Sequence, residues 1–401
     1  MKVLLIVPKV PTRFAEAHGF AKNVYGGWID GYVNVFDGRE IDVSFITLSK
    51  SSRQHISKAS QGNIESIYIE YNDPKQLRSM TGFDEYDVVE IVGIEHEYIP
   101  DLTKIVPVDK TIINITGLNS EYAKVYEDDA TDVNFLQKLY INVLKNKMVE
   151  QGRPEERLMK KVKYGFGRTL WDKKVLESHN PDIKYFHCGE SLRDEFYGPN
   201  NWGVDSINRH QMFVSTMSYP IKGGLHALRI IRKIHDVYPD LKVRVSGENM
   251  IEADSLLTKL GISYSAMLKH FIRSKGLNDV VDFTGLLNAE EITEELGKTH
   301  VVLVPSAMEN SSNSLQEAMA SGVPVVATDR GGTSSILGDD YPCLYDFNNV
   351  DDAVNKIIRI FNDDDFAIQI SKENKAKVDK LIDKDAIYQS QFNAFRHIAG
   401  E

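Results

Sequence analysis

The sequence predicts an α/β protein of two doubly wound domains, and three observations carry that prediction. Short apolar, β-branched runs alternate with longer amphipathic stretches, and the alternation starts afresh near residue 210. Between the two series lies a polar stretch, residues 197–208, rich in Gly, Pro and Asn, which reads as a linker. In the first series most of the runs at 3–7, 43–48, 64–69, 88–94, 111–115 and 183–186 are short and continuous, as expected of strands buried on both faces of a parallel sheet. Over residues 131–148 the period changes. Val133, Leu136, Leu139, Tyr140, Val143 and Leu144 recur at three and four residues and predict an amphipathic helix. The charged stretch 150–163 is expected to be exposed. The second series has strand runs at 212–214, 243–245, 281–283, 301–304 and 323–327, with helical spacing of Leu228, Ile231 and Ile234 between the first two. In the tail, Tyr388, Phe392, Phe395 and Ile398 share one helical face, so that helix must dock. The expected domains are 1–205 and 206–383, with 384–401 packing back on the first.

Composition limits the functional classes. The chain has 401 residues, 42% hydrophobic and 26% charged, with 27 Gly and 13 Pro, so collagen-like and low-complexity classes are excluded. A net charge of −11 argues against a general nucleic-acid binder, which needs a basic surface. Cys188 and Cys343 form neither a disulfide framework nor a metal cluster. The opening apolar run is too short for a signal core, and no stretch approaches the roughly 18 apolar residues of a membrane span. The expectation is a cytoplasmic protein whose membrane contact, if any, is peripheral, at the inner face.

The segment Pro305-Ser306-Ala307-Met308-Glu309-Asn310-Ser311-Ser312-Asn313-Ser314-Leu315-Gln316-Glu317 follows a strand run, at the carboxyl edge where open α/β sheets bind ligands. Asn313 and Ser314 suit the start of a helix over 315–320, whose first N–H groups make a natural phosphate site. Glu309 then lies in a loop and Glu317 within the helix. Both carboxylates can accept from ligand hydroxyls. On residue chemistry alone, a capped surface helix with two solvated glutamates fits equally well. A second strand-loop-helix carries Thr216, Lys222, Gly223 and Gly224, where the Lys222 ammonium can neutralise phosphate as a point charge or simply be solvated.

These residues resemble the retaining glycosyltransferases of family 4, which have the GT-B fold of two Rossmann-like domains facing a cleft. Glu309 and Glu317, with seven residues between them, are followed by Ala318-Met319-Ala320-Ser321-Gly322-Val323-Pro324 and then Gly331-Gly332, and the whole run carries the likeness. The loop Glu309-Asn310-Ser311-Ser312-Asn313-Ser314 is similar to a capsular and exopolysaccharide subgroup. The resemblance implies that Glu309 holds donor-sugar hydroxyls, Glu317 the ribose, and the amides of Asn313, Ser314 and Leu315 the distal phosphate. It implies a Lys-Gly step at Lys222 and a Gly-Gly turn at Gly26-Gly27. Thr216 and Gly247 complete the donor set, and His96 is the candidate sugar contact, although a lone histidine is usually structural. Thr216 stands where the family has a second cation. Arg168 or Arg193 could supply it, or could pair with Asp172 or Glu195 instead. The implied function is retaining transfer from a nucleotide-diphosphate sugar, UDP preferred, to a saccharide or lipid-linked saccharide. No cofactor and no obligatory metal are expected. Other classes are a sugar-nucleotide epimerase or hydrolase, and a non-catalytic subunit of the same fold.

Overall fold

The computed structural model describes the chain except residues 22–26, 200, 201, 251 and 253. Two compact units emerge, Met1–Ser120 with Val149–Arg193 and Leu381–Glu401, and Glu121–Met148 with Asp194–Lys380.

The first unit is built on β1 (Lys2–Val7), β2 (Asp42–Lys50), β3 (His55–Gln61), β4 (Ile64–Tyr71), β5 (Val88–Val92), β6 (Thr111–Asn114), β7 (Tyr164–Gly167) and β8 (Lys184–His187). They form one sheet in the order β3-β4-β2-β1-β5-β6-β7-β8. Only β3 runs antiparallel to its neighbour. β3 (HISKASQ) is largely exposed and has no apolar run, so period and hydrophobicity do not announce it; it covers the edge of β4. β7 is equally inconspicuous because Gly165 and Gly167 stand where a Cβ would overlap Leu176, Ile183 or Asp172. One apolar layer lies on each face of the sheet. The C-terminal helix Lys384–Ala399 completes one of them: Phe395 is fully buried and stacks on Phe36, ring centroids 6.3 Å apart.

The second unit holds β9 (Gln211–Val214), β10 (Lys242–Ser246), β11 (Val281–Gly285), β12 (Val301–Val304), β13 (Val325–Thr328) and β14 (Leu344–Tyr345), all parallel, in the order β11-β10-β9-β12-β13-β14. The two-residue β14 is too short to show in the sequence pattern.

Three expectations need correction. The charged stretch 150–163 is exposed on one face only: Arg153, Arg157, Lys160, Lys161 and Lys163 are exposed, but Pro154, Glu155, Leu158, Met159 and Val162 are buried. Glu155 accepts from the backbone N–H of Asn119 and Ser120 at the start of the helix Asn119–Val125 (3.0 and 3.1 Å), and burial pushes its carboxyl up to about 7. The boundary lies at Arg193/Asp194 rather than 205/206, and the linker stretch is docked: Trp202 is buried and donates to the Thr299 carbonyl at 2.8 Å. Finally, Glu121–Met148 belongs to the second unit. The fully buried Asp129 carboxylate accepts from the N–H of Leu225 (3.1 Å) and His226 (2.6 Å), so a side chain occupies the positive end of the helix Gly224–Val237.

Candidate functional site

In the second unit, two loops at the carboxyl edge of the sheet are joined by their backbones. After β9 the chain turns through Pro220–Lys222, and Gly223 adopts φ +66°, a left-handed conformation suited to glycine. A Cβ there would also overlap the carbonyl oxygen of Pro305, directly after β12, and Ala307 N–H donates to Ile221 O at 2.8 Å. This close approach sets Lys222 against Glu309: its ammonium donates to Glu309 Oε1 at 2.7 Å. Ser306 Oγ donates to the same oxygen at 2.6 Å. Gly331 repeats the device with φ +66°: its missing Cβ leaves room for the Glu309 carbonyl, which accepts from Gly332 N–H at 2.8 Å. The Gly331-Gly332 pair therefore fixes the backbone of Glu309 from a third loop, after β13.

Glu309 is buried, and Lys222 keeps partial access to solvent. Burial opposes the lysine's charge, but the Glu309 carboxylate outweighs it and holds the ammonium above the usual lysine range. The helix beyond spans Asn313–Ala320, two residues earlier than expected, and its cap is Ser312, whose Oγ accepts from Leu315 N–H at 3.3 Å. Of the three amides expected to meet phosphate, Leu315 thus already has a side-chain partner. Asn310, Ser312, Gln316 and Glu317 are all buried, which is unusual for a polar surface loop and its helix. That burial contradicts the reading as a capped surface helix with solvated glutamates. Thr216 lies in a hydroxyl turn, donating to Ser218 Oγ at 3.1 Å, beside Gly247 (φ +97°) at the end of β10.

The sequence motifs of the first unit fall at the carboxyl edge of its own sheet. Gly93 (φ +81°) ends β5, and a Cβ there would lie 2.6 Å from Thr116 Oγ1 and 2.8 Å from His96 Nε2. Thr116 Oγ1 donates to Glu95 Oε1 at 2.8 Å, and His96 Nε2 lies 3.7 Å from that oxygen, so the segments 93–97 and 115–119 meet around one carboxylate. Arg168 is sealed in the interior. Its guanidinium pairs with Glu190 at 2.9 Å, not with Asp172 or Glu195, while its backbone N–H donates to Asp172 Oδ2 at 2.7 Å. Arg193 is half-buried at the end of this unit. Tyr25 and Gly26 lie outside the described residues, and Gly27 opens the helix Gly27–Phe36.

Ser306 is the residue that sequence reasoning missed, because nothing distinguishes a loop serine from one aimed at a carboxylate. The aspartate runs near the C-terminus have structural partners: Asp364 pairs with Arg209, and Asp383 caps the helix Lys384–Ala399. Among the described residues no group of three or more His, Cys, Asp or Glu could hold a metal ion, and no helix is long and apolar enough to cross a membrane.

This fold is that of the GT-B glycosyltransferases. Sucrose-phosphate synthase from Thermosynechococcus elongatus superposes with a TM-score of 0.70 at 14% identity, over 100% of this chain and 99% of that one. A TarM variant of S. aureus, in complex with UDP and a glycosylated glycerol, superposes at 0.67 with 11% identity over 98% and 99%. Residues 211–377 match the family described as "Glycosyl transferases group 1". The MMP α-(1→4)-mannosyltransferase of Mycolicibacterium hassiacum is 28% identical over 130 residues, 32% of this chain and 28% of that protein. An uncharacterized glycosyltransferase of Methanocaldococcus jannaschii, MJ1607, is 21% identical over 99% of this chain and 98% of its own length. The local matches thus span under a third of the curated relatives concerned, 28% of the mannosyltransferase. Family and relatives together support the group 1 glycosyltransferases.

Proposed function

We propose that the protein transfers a sugar from a nucleotide-diphosphate donor to a saccharide or lipid-linked saccharide, with retention at the anomeric carbon and without an obligatory metal. The observation that carries this reading is the Lys222–Glu309 pair at 2.7 Å, held beside the start of the helix Asn313–Ala320 by three glycine-dependent or backbone-joined loops. An ammonium paired with the loop that leads into a helix start suits a diphosphate, and a carboxylate fixed by Ser306 suits sugar hydroxyls. The UDP in the TarM complex favours a uridine donor. In the proposed step the bond from the anomeric carbon to the phosphate oxygen breaks, and the bond to the acceptor oxygen forms on the same face. The acceptor's proton passes to the departing phosphate oxygen. Lys222 and the Asn313 and Ser314 amides stabilise the charge that develops there. Glu309 orients the sugar, Glu317 the ribose, and Thr216 and Gly247 line the donor; His96 is the first unit's proposed sugar contact. A polysaccharide-building role is the biological context we propose.

The test is release of nucleotide from UDP-, GDP- and ADP-sugars with a panel of saccharide acceptors, with and without EDTA, and proton NMR of the product's anomeric signal. The expected result is acceptor-dependent UDP release, unchanged by EDTA, with retained configuration. Consumption without acceptor would mean an epimerase or hydrolase. Nucleotide binding without turnover would mean a non-catalytic subunit, the reading that Thr216 in place of a cation favours.

A further inference from the structure

The stripe that predicts an amphipathic helix does not face a core. In the second unit's part of the helix Phe135–Met159, Phe135 is 80% exposed, and Leu136, Leu139 and Val143 are each more than half exposed. Positions 135, 139 and 143 recur every four residues, so they form one continuous face. A second short helix, Leu256–Lys259, exposes Leu256 at 71%, with Leu257 and Leu260 also exposed. The two are physically joined, for Gln137 Nε2 donates to the carbonyl of Gly261 at 2.9 Å. Seven large apolar side chains thus gather on two adjacent helices, whereas the other exposed ones are scattered along the chain. Such a patch marks an interaction surface.

Charge identifies the occupant. Residues 135–148 contain three lysines and no acidic residue, and residues 256–275 contain three lysines, one arginine and no acidic residue. The whole chain carries 58 Asp and Glu against 47 Lys and Arg, so an acid-free, basic surface is the exception on this molecule. Lys145 and Lys259 are tied to Glu127 and Asp254 at the margin. Apolar side chains on helical segments that carry lysines and no acidic residue of their own match an anionic lipid interface, where the former enter the headgroup boundary and the latter meet phosphate. A second copy of an acidic chain would bring the same basic patch against itself, which like charges oppose.

We propose that this face is a membrane-docking surface that seats the second unit on anionic phospholipid. It shares no residue with the Lys222–Glu309 site and acts whether or not that site transfers sugar. The test is co-sedimentation of the full chain with vesicles of phosphatidylcholine and phosphatidylglycerol, roughly two to one, and with pure phosphatidylcholine. The expected result is binding to the anionic vesicles only. The triple variant Phe135→Ser, Leu139→Ser, Leu256→Ser should need about tenfold more lipid for half-binding, and Lys138→Glu with Lys147→Glu should weaken binding similarly and remove its salt dependence. All five side chains are exposed, so circular dichroism and the nucleotide-induced thermal shift should not change. Failure of the unmodified protein to bind anionic vesicles, or equal binding to both kinds, would overturn the proposal. So would a dimer in sedimentation velocity that the triple variant makes monomeric, since a second copy would then own the face. Absence of a nucleotide shift in the unmodified protein would count against the donor site alone, whereas its loss only in the variants would overturn the independence of the docking face.

Discussion

Two ion pairs at the carboxyl edges of the two sheets are chemically alike and environmentally opposite. Arg168–Glu190 follows β7 and β8, with side chains 6% and 3% exposed; Lys222–Glu309 follows β9 and β12, with 23% and 9%. The first is closed in among Tyr32, Glu90, Asn114 and Cys188. The second keeps its cation open to solvent, where a charged ligand can displace or share it. A sealed pair serves the scaffold, because breaking it strands a charge in low dielectric. A pair whose cation is open to solvent can exchange its partner for phosphate or a hydroxyl.

Four predictions break or sharpen that contrast. Arg168→Leu, which leaves Glu190 buried without a counter-charge, should cost about 3–5 kcal/mol in urea unfolding, with activity falling only as folded protein is lost. Activity lost at unchanged stability would place Arg168 in the site instead. Next, Glu309→Ala should lower turnover about a hundredfold, about 2.7 kcal/mol of transition-state stabilisation, while the urea midpoint moves little. Adding Lys222→Ala to it should cost less than the two single effects summed, because the residues act as a unit.

The third prediction concerns pH. Burial pushes the Glu90 carboxyl up to about 7, against hydrogen bonds from Tyr32 (2.6 Å) and Asn114 (2.8 Å) that pull it down. The folded state therefore binds this proton more tightly than the unfolded chain. Its contribution is fully present below the ordinary glutamate range and is lost as pH rises through about 7. The melting temperature should decline between those limits, and Glu90→Gln should flatten part of the decline, with Glu155 and Asp172, whose carboxyls burial raises to about 7 and about 6, contributing to what is left. An unchanged slope in the variant would show that Glu90 does not carry it. The smallest effect is a gain: Thr216→Arg, in the Ser218 hydroxyl turn, should tighten UDP binding about two- to fivefold by calorimetry.

The sequence pattern located the strands that are predominantly apolar, such as β1, β5 and β12, because burial on both faces demands a nearly continuous hydrophobic run. It missed β3 and β7, where an exposed edge and two glycines erase that signal. Glu309, Gly331 and Gly332 were legible because they sit in a long motif, and Lys222 because it stands in a second strand-loop-helix. Ser306 and Asp129 were not, because a hydroxyl or carboxylate in a loop has no sequence mark for the group it will meet. Arg168 was legible as a residue but not in its partner, since Glu190 lies beyond a whole helix and strand from it.

By itself the sequence determined the α/β class, the two series of strands and the acidic balance, all of which depend on residue type and local period. Tertiary structure alone decided three things: that Glu121–Met148 joins the second unit through Asp129, that Lys222 meets Glu309 rather than water, and that the helical stripe at Phe135 stays uncovered. Each depends on which groups distant in the chain come within a few ångströms of one another. Local periodicity says which face of an element is apolar, but only the packed chain says what that face meets.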